Sequence, residues 1–169
     1  FGLSADMEPL MALAKKHNLF VIEDNAQGIG AECTFSDGSK QKTGTIGHVA
    51  STSFFPSKNL GGYGDGGAIF TNDDDLAHTL RGIVNHGMYE RYHHDVVGVN
   101  SRLDSLQAAV LRAKLPRLDQ YNAARRRAAA AYTRAFAQVP GITTPSGACG
   151  PEKGICAQCD CHVFHQYTL

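Results

Sequence analysis

The run Leu19-Phe20-Val21-Ile22, closed at once by Glu23-Asp24, constrains the fold more than any other stretch of the chain. Consecutive apolar residues leave a strand no polar face, and such strands belong in the middle of a parallel sheet. Upstream, Met7, Leu10, Met11 and Ala14 recur at i, i+3, i+4 and i+7, which predicts a helix with one buried stripe. Ser4 is placed to cap that helix, Pro9 falls in its first turns, where a missing N–H costs least, and Asn18 ends it. Helix, short turn and buried strand together form the αβ half of a crossover unit.

The same alternation continues. Residues 28–47 are glycine-rich and polar, with a hairpin expected around Ser36-Asp37-Gly38-Ser39. Val49 to Phe55 and Ala68-Ile69-Phe70-Thr71 read as strands. Asn72 or Asp73 caps a helix with Leu76, Leu80, Ile83 and Val84 on its inner face. After a polar, aromatic stretch, Leu103 opens a long helical segment with Leu106, Val110, Leu111 and Leu115 as its stripe. Pro116 kinks or restarts it before Leu118 and Arg125-Arg126-Arg127. From Pro140 the chain reads as loop until Val163 to Leu169, a further strand. Alternating strands and helices place the chain in the α/β class with a largely parallel sheet.

Composition narrows the function. Sixteen Lys and Arg balance sixteen Asp and Glu, which argues against a nucleic-acid partner held by a basic face and against an anionic membrane. No apolar run approaches the roughly 18–20 residues of a membrane span. No signal peptide is visible at Phe1-Gly2-Leu3-Ser4, and the lack of a starting Met suggests a piece of a longer protein. Four of the five cysteines (Cys149, Cys156, Cys159, Cys161) crowd the last twenty-one residues. That distribution fits a reducing cytoplasm better than a secreted disulfide framework. One CxxC with a nearby Cys and His has enough donors for a tetrahedral zinc site, but lacks a second spaced pair. A flexible insertion with free thiols is the preferred reading, so no metal is expected.

In open α/β sheets, ligands bind at the carboxyl ends of the strands. Two such ends carry unusual residues. Glu23-Asp24-Asn25-Ala26-Gln27 follows the first apolar strand, where an acid needs a cation or donor, or else caps the next turn. Lys58 follows the second, among Ser51, Ser53, Ser57 and Gly61 to Gly67. A desolvated lysine can form Schiff bases, although a lysine in a loop is most often only solvated. The glycine run leads into a strand rather than a helix, which argues against NAD or ATP binding. A lysine and an acid together suit pyridoxal phosphate, whose pyridinium nitrogen needs a carboxylate partner.

Three segments carry a resemblance: residues 21–27, residues 52–67 (Thr-Ser-Phe-Phe-Pro-Ser-Lys-Asn-Leu-Gly-Gly-Tyr-Gly-Asp-Gly-Gly) and residues 98–104. They closely resemble the DegT/DnrJ/EryC1/StrS family of nucleotide-sugar aminotransferases, over residues 1 to about 145 and again at His165-Gln166-Tyr167-Thr168. The resemblance implies the type I aminotransferase fold with a mostly parallel mixed sheet. Residues 1–139 would be the central part of the cofactor-binding large domain and its following helices. Residues 140–169 would be a linker with a Cys-rich insertion and the start of a small domain. A complete member is expected to exceed twice this length.

Carried over by position, Lys58 is similar to the family's Schiff-base lysine, which also shuttles a proton. Asp24 would pair with the pyridinium nitrogen, Gln27 would contact the phenolic oxygen or ring face, and Ser53 would bind the phosphate. Asn100 matches an asparagine that reaches the phosphate from a neighbouring subunit, which implies a homodimer with shared active sites. Arg102 resembles an arginine near the sugar nucleotide, with a structural salt bridge to Asp104 or elsewhere as the alternative. Lysine rather than histidine at position 58 implies transamination rather than dehydration. Residues 91–109 are most similar to members aminating C3 of UDP-linked 3-keto sugars, notably 2-acetamido-3-keto-glucuronate. dTDP-keto-hexose aminotransferases and a non-catalytic cofactor-binding fragment are the alternatives. Glutamate is the expected amino donor and the cytoplasm the expected location. Asn25 departs from the family pattern, which more usually has alanine there.

Overall fold

The computed structural model describes residues 1–145 and 160–169. Cys149, Cys156 and Cys159 of the cysteine cluster therefore lie outside the described residues. Helix α1 (Met7–His17) is followed by strand β1 (Ile22–Asp24) and the hairpin strands β2 (Glu32–Thr34) and β3 (Lys40–Lys42). Next come β4 (Val49–Ser53), β5 (Gly67–Phe70) and helix α2 (Asp74–Val84). A small hairpin, β6 (Met88–Glu90) and β7 (His93–His94), precedes α3 (Ser105–Lys114). A 3-10 turn at Leu115–Arg117 then leads into α4 (Leu118–Phe136).

The central sheet has the order β1-β4-β5. β1 and β4 are parallel, with Asp24 opposite Ser51, while β5 returns antiparallel to β4. The mixed sheet that the resemblance implies is present. One feature differs. β1 is an edge of the described sheet, with Ile22 69% and Phe20 59% exposed, rather than a central strand buried on both faces. Nothing among the described residues covers that side.

Local signals behaved unevenly. Asn18 ends α1 in the left-handed conformation (φ 50°), its N–H turned back to the carbonyls of Ala14 and Lys15. Ser4 is not its cap: the Ser4 hydroxyl bonds the adjacent Ala5 carbonyl, and Asp6 is the residue preceding the helix. Asp73 caps α2 through a 2.9 Å bond from the Leu76 N–H. Asp104 does the same for α3 through the Leu106 N–H at 2.7 Å. The hairpin turn closes at Phe35 and Ser39, with Gly38 at φ 84°. The β6–β7 hairpin lies in the stretch read only as polar and aromatic. The expected strand from Val163 to Leu169 is absent. Only a single bridge joins Leu3 to His162, and the segment is held instead by side chains of α4.

The core lies under the turn that leaves β4. Phe54, Leu60, Leu111 and Leu118 form one buried cluster, with Ile29 and Ala68 packed against it. Each such side chain contributes about 1.5–3 kcal/mol of burial. Leu118 sits on α4 and Leu111 on α3, so both helices grip the segment between Phe54 and Leu60.

Candidate functional site

Glu23 and Asp24 leave the same strand end on opposite faces and do different work. The Glu23 carboxylate accepts N–H bonds from Gly44, Ile46 and Gly47 at 2.5–2.7 Å. It is the capping acid, holding the loop that enters β4. Asp24 is exposed and among the described residues takes a single bond, from the Ala26 N–H at 3.1 Å, which leaves carboxylate lone pairs to spare. Asn25 turns inward at 5% exposure, and its amide donates to the Thr43 carbonyl at 3.1 Å. It packs between Gly28 and Gly44, where a Cβ on either glycine would strike its amide. That packing accounts for a residue larger than alanine.

At the end of β4, Ser53 Oγ accepts the Phe55 N–H at 3.2 Å, so its own O–H proton remains available to another acceptor. Lys58 is half-buried, with its N–H bonded to the Phe55 carbonyl at 2.9 Å. Among the described residues no carboxylate lies within 4 Å of its amine; the ion pairs are Lys40 and Lys42 with Glu32, and Arg126 with Asp160.

The glycines after Lys58 serve close packing. The Gln107 side chain of α3 caps the Tyr63 N–H at 2.7 Å and lies where a Cβ on Gly62 would have to go. Lys114, also on α3, donates to the Gly61 carbonyl. The run enters β5 rather than the start of a helix.

Two clefts divide the remaining candidates. Asp24 and Gln27 line one of about 470 Å³, beside the N-terminal segment and the start of α1. Asn100 and Arg102 line another of about 820 Å³, bounded by β5 and α2. Arg102 Nε donates to Asn100 Oδ1 at 3.1 Å, and Asp104 is occupied as the α3 cap, so the alternative Arg102–Asp104 salt bridge is not formed. Ser53 and Lys58 line neither cleft. The structure therefore joins Asp24 and Gln27, and separately Asn100 and Arg102.

Several residues that shape the site were not singled out beforehand. Asn59 and Asn122 bond each other in the interior. Arg125 reaches the carbonyls of Phe164 and His165 at 3.3 and 3.1 Å. His165 stands close enough to Lys58 that the lysine charge, after burial, helps hold its pKa below the usual value. The available signal was spacing: Leu118, Asn122 and Arg126 recur every four residues, which puts polar groups on the stripe of α4 that packs inward. Among the described residues, no group of three or more His, Cys, Asp or Glu could hold a metal ion.

His162 is 7% exposed and burial lowers its pKa from 6.5 to about 4. Its Nδ1 accepts the Phe164 N–H at 3.0 Å, which requires the neutral ring. The unfolded chain binds this proton and the folded one does not, so stability is full above pH 6.5 and falls as pH drops towards 4. The loss at the acid end is roughly 3 kcal/mol. Thermal unfolding between pH 7 and 4 should show it, and the slope should flatten in His162→Gln; an equally steep variant would contradict the assignment.

Comparison with known proteins gives the same outline. The sequence model of the DegT/DnrJ/EryC1/StrS aminotransferase family matches residues 1–169. The chain is 47% identical over its whole length to the UDP-N-acetyl-3-dehydro-alpha-D-glucosamine 3-aminotransferase of Acidithiobacillus ferrooxidans, covering 42% of that protein. It is 50% identical, over 86% of its length, to the UDP-2-acetamido-2-deoxy-3-oxo-D-glucuronate aminotransferase of Pseudomonas aeruginosa, covering 39% of it. Its fold superposes on the crystal structure of S. venezuelae DesV in complex with a ketimine intermediate, with TM-score 0.83 and 42% identity. That match covers 99% of this chain and 41% of that one. The chain thus spans about two fifths of the length of the curated relatives it matches.

Proposed function

Since the chain belongs to the DegT/DnrJ/EryC1/StrS aminotransferase family, we propose that it carries the reactive lysine of a pyridoxal-phosphate enzyme that aminates a nucleotide-linked keto-sugar. The supporting observation is a half-buried Lys58 that has no carboxylate partner among the described residues, on the turn leaving β4, while the parallel neighbour β1 ends in an exposed Asp24.

The residues present suit the cofactor. Asp24, with one N–H bond and open lone pairs, is the acid for the pyridine nitrogen, and Gln27 shares its cleft. Ser53 has an O–H left to donate to a phosphate. The bound cofactor supplies an electron sink that acidifies the C–H bond beside the amino group. Lys58 Nζ is the group that would take up and return that proton. Glutamate is the proposed amino donor.

Asn100 and Arg102 line a different cleft from Asp24 and Gln27. That separation supports a homodimer in which Asn100 serves the phosphate of a second copy, with Arg102 near the sugar nucleotide. The relatives act on UDP- and dTDP-linked sugars by name, and a UDP-linked 3-keto sugar is the proposed substrate, in a cytoplasmic biosynthetic step. Among the described residues no helix is long and apolar enough to cross a membrane. A panel of UDP- and dTDP-linked keto-sugars with glutamate tests the reading: amination of a UDP-linked 3-keto sugar is expected. Turnover of none, by protein that also gains no visible absorbance with pyridoxal phosphate, would overturn it.

A further inference from the structure

The turn that presents Lys58 is anchored from far along the chain. Asn59, the next residue, is 5% exposed, and its side-chain amide donates to Asn122 Oδ1 at 2.7 Å and to the Val163 carbonyl at 3.1 Å. Asn122, on α4 and 1% exposed, donates in turn to the Ile29 carbonyl at 3.1 Å. Leu60 is fixed separately in the apolar core. The backbone leaving Lys58 is thus held by a directional polar bond first and by packing second.

Packing alone does not call for an amide at position 122. An apolar pair of the same shape in place of a buried hydrogen-bonded pair is close to neutral in stability. What the amide adds is direction, because a carboxamide bond fixes the Asn59 rotamer where an aliphatic contact would let it slide. The chain also makes room for it. Gly30 has φ 86°, and a Cβ there would come within 2.6 Å of Asn122 Nδ2. Meanwhile Asn59 Oδ1 is buried and has no partner among the described residues, so within them the Asn59 side chain is oriented through its donors.

We propose that Asn122 is a positioning residue for Lys58, acting through Asn59 to set the direction in which the turn presents the amine. The catalytic meaning of that role rests on the function proposed above; the positioning itself does not.

Competitive acetylation of the full chain with acetic anhydride, without cofactor, reads it directly. Mass spectrometry gives the labelling rate at Lys58 relative to the exposed Lys15 of α1. Asn122→Ala is expected to change that ratio about fivefold, within the coupling found inside one hydrogen-bond network. On an Asn59→Ala background it should change nothing further. A ratio that does not move, or moves equally with and without Asn59, overturns the proposal. A purely structural role would lower the thermal midpoint and leave the ratio alone. If Asn122→Ala does not fold, Asn122→Ser keeps a hydroxyl at the position and carries the same test. Borohydride fixation of pyridoxal phosphate to Lys58 in the unsubstituted protein is measured in parallel. Its failure removes the proposed function, while the acetylation ratio still decides the role of Asn122.

Discussion

Lys58→Ala is expected to abolish covalent retention of pyridoxal phosphate and to lower amination by at least about a thousandfold. Positioned proton transfer alone contributes about 10²–10⁴-fold, and this substitution also removes the amine that holds the cofactor. The fold should survive, because the Lys58 side chain takes part in no ion pair among the described residues and the turn is anchored by Asn59 and Leu60. The check is borohydride reduction followed by peptide mapping, with thermal unfolding as control. A Lys58→Ala protein that still bound the cofactor irreversibly under borohydride, or still turned over amino donor, would remove the lysine from the reaction.

Gly61→Ala should act on the same turn through the backbone. A Cβ at Gly61 would meet the main chain of Pro56, and the Phe55 carbonyl oxygen at 2.8 Å. Neither atom is the end of a flexible side chain. The Gly61 carbonyl is itself held by Lys114, so the strand of chain cannot swing away without breaking that bond. Overpacking against rigid main chain costs about 3 kcal/mol, the upper end of the usual range, which lowers the thermal midpoint by about 6–12 °C for a chain of this size. Cofactor retention should fall with it, because the displaced segment begins three residues after Lys58. A midpoint within about 2 °C of the unsubstituted protein would show that the turn has more room than the geometry allows.

What could be read in the sequence was local. The α1 terminus at Asn18, the hairpin at Asp37-Gly38, the Asp73 cap and the restart at Pro116 each depend on a few neighbouring residues, and each is where it was expected. Lys58 and Asp24 were legible as chemistry following strands: β1 ends at Asp24 beside its parallel neighbour β4, and Lys58 lies five residues beyond the end of β4 at Ser53. The misreadings were of tertiary origin. Ser4 has the right chemistry for a cap, but its hydroxyl finds the Ala5 carbonyl nearer. The segment after Val163 has strand-like composition, yet Arg125 and Asn59 take up its carbonyls, so no ladder forms. Spacing could place Asn122 on the inward stripe of α4 but could not name its partners, which are 63 and 93 residues away. Long-range amide bonds leave almost no trace in a window of a dozen residues.

The bond from Asn59 to α4 has a consequence for engineering. The stretch from Pro56 to Gly67 looks like a portable cassette, short, glycine-rich and bounded by strands. Its conformation, however, is written partly in Gln107, Lys114 and Asn122. A chimera that imports this loop from a relative with a different substrate inherits the lysine but not its aim, unless α3 and α4 travel with it. The smallest unit that can be exchanged between such proteins is therefore the loop together with both helices.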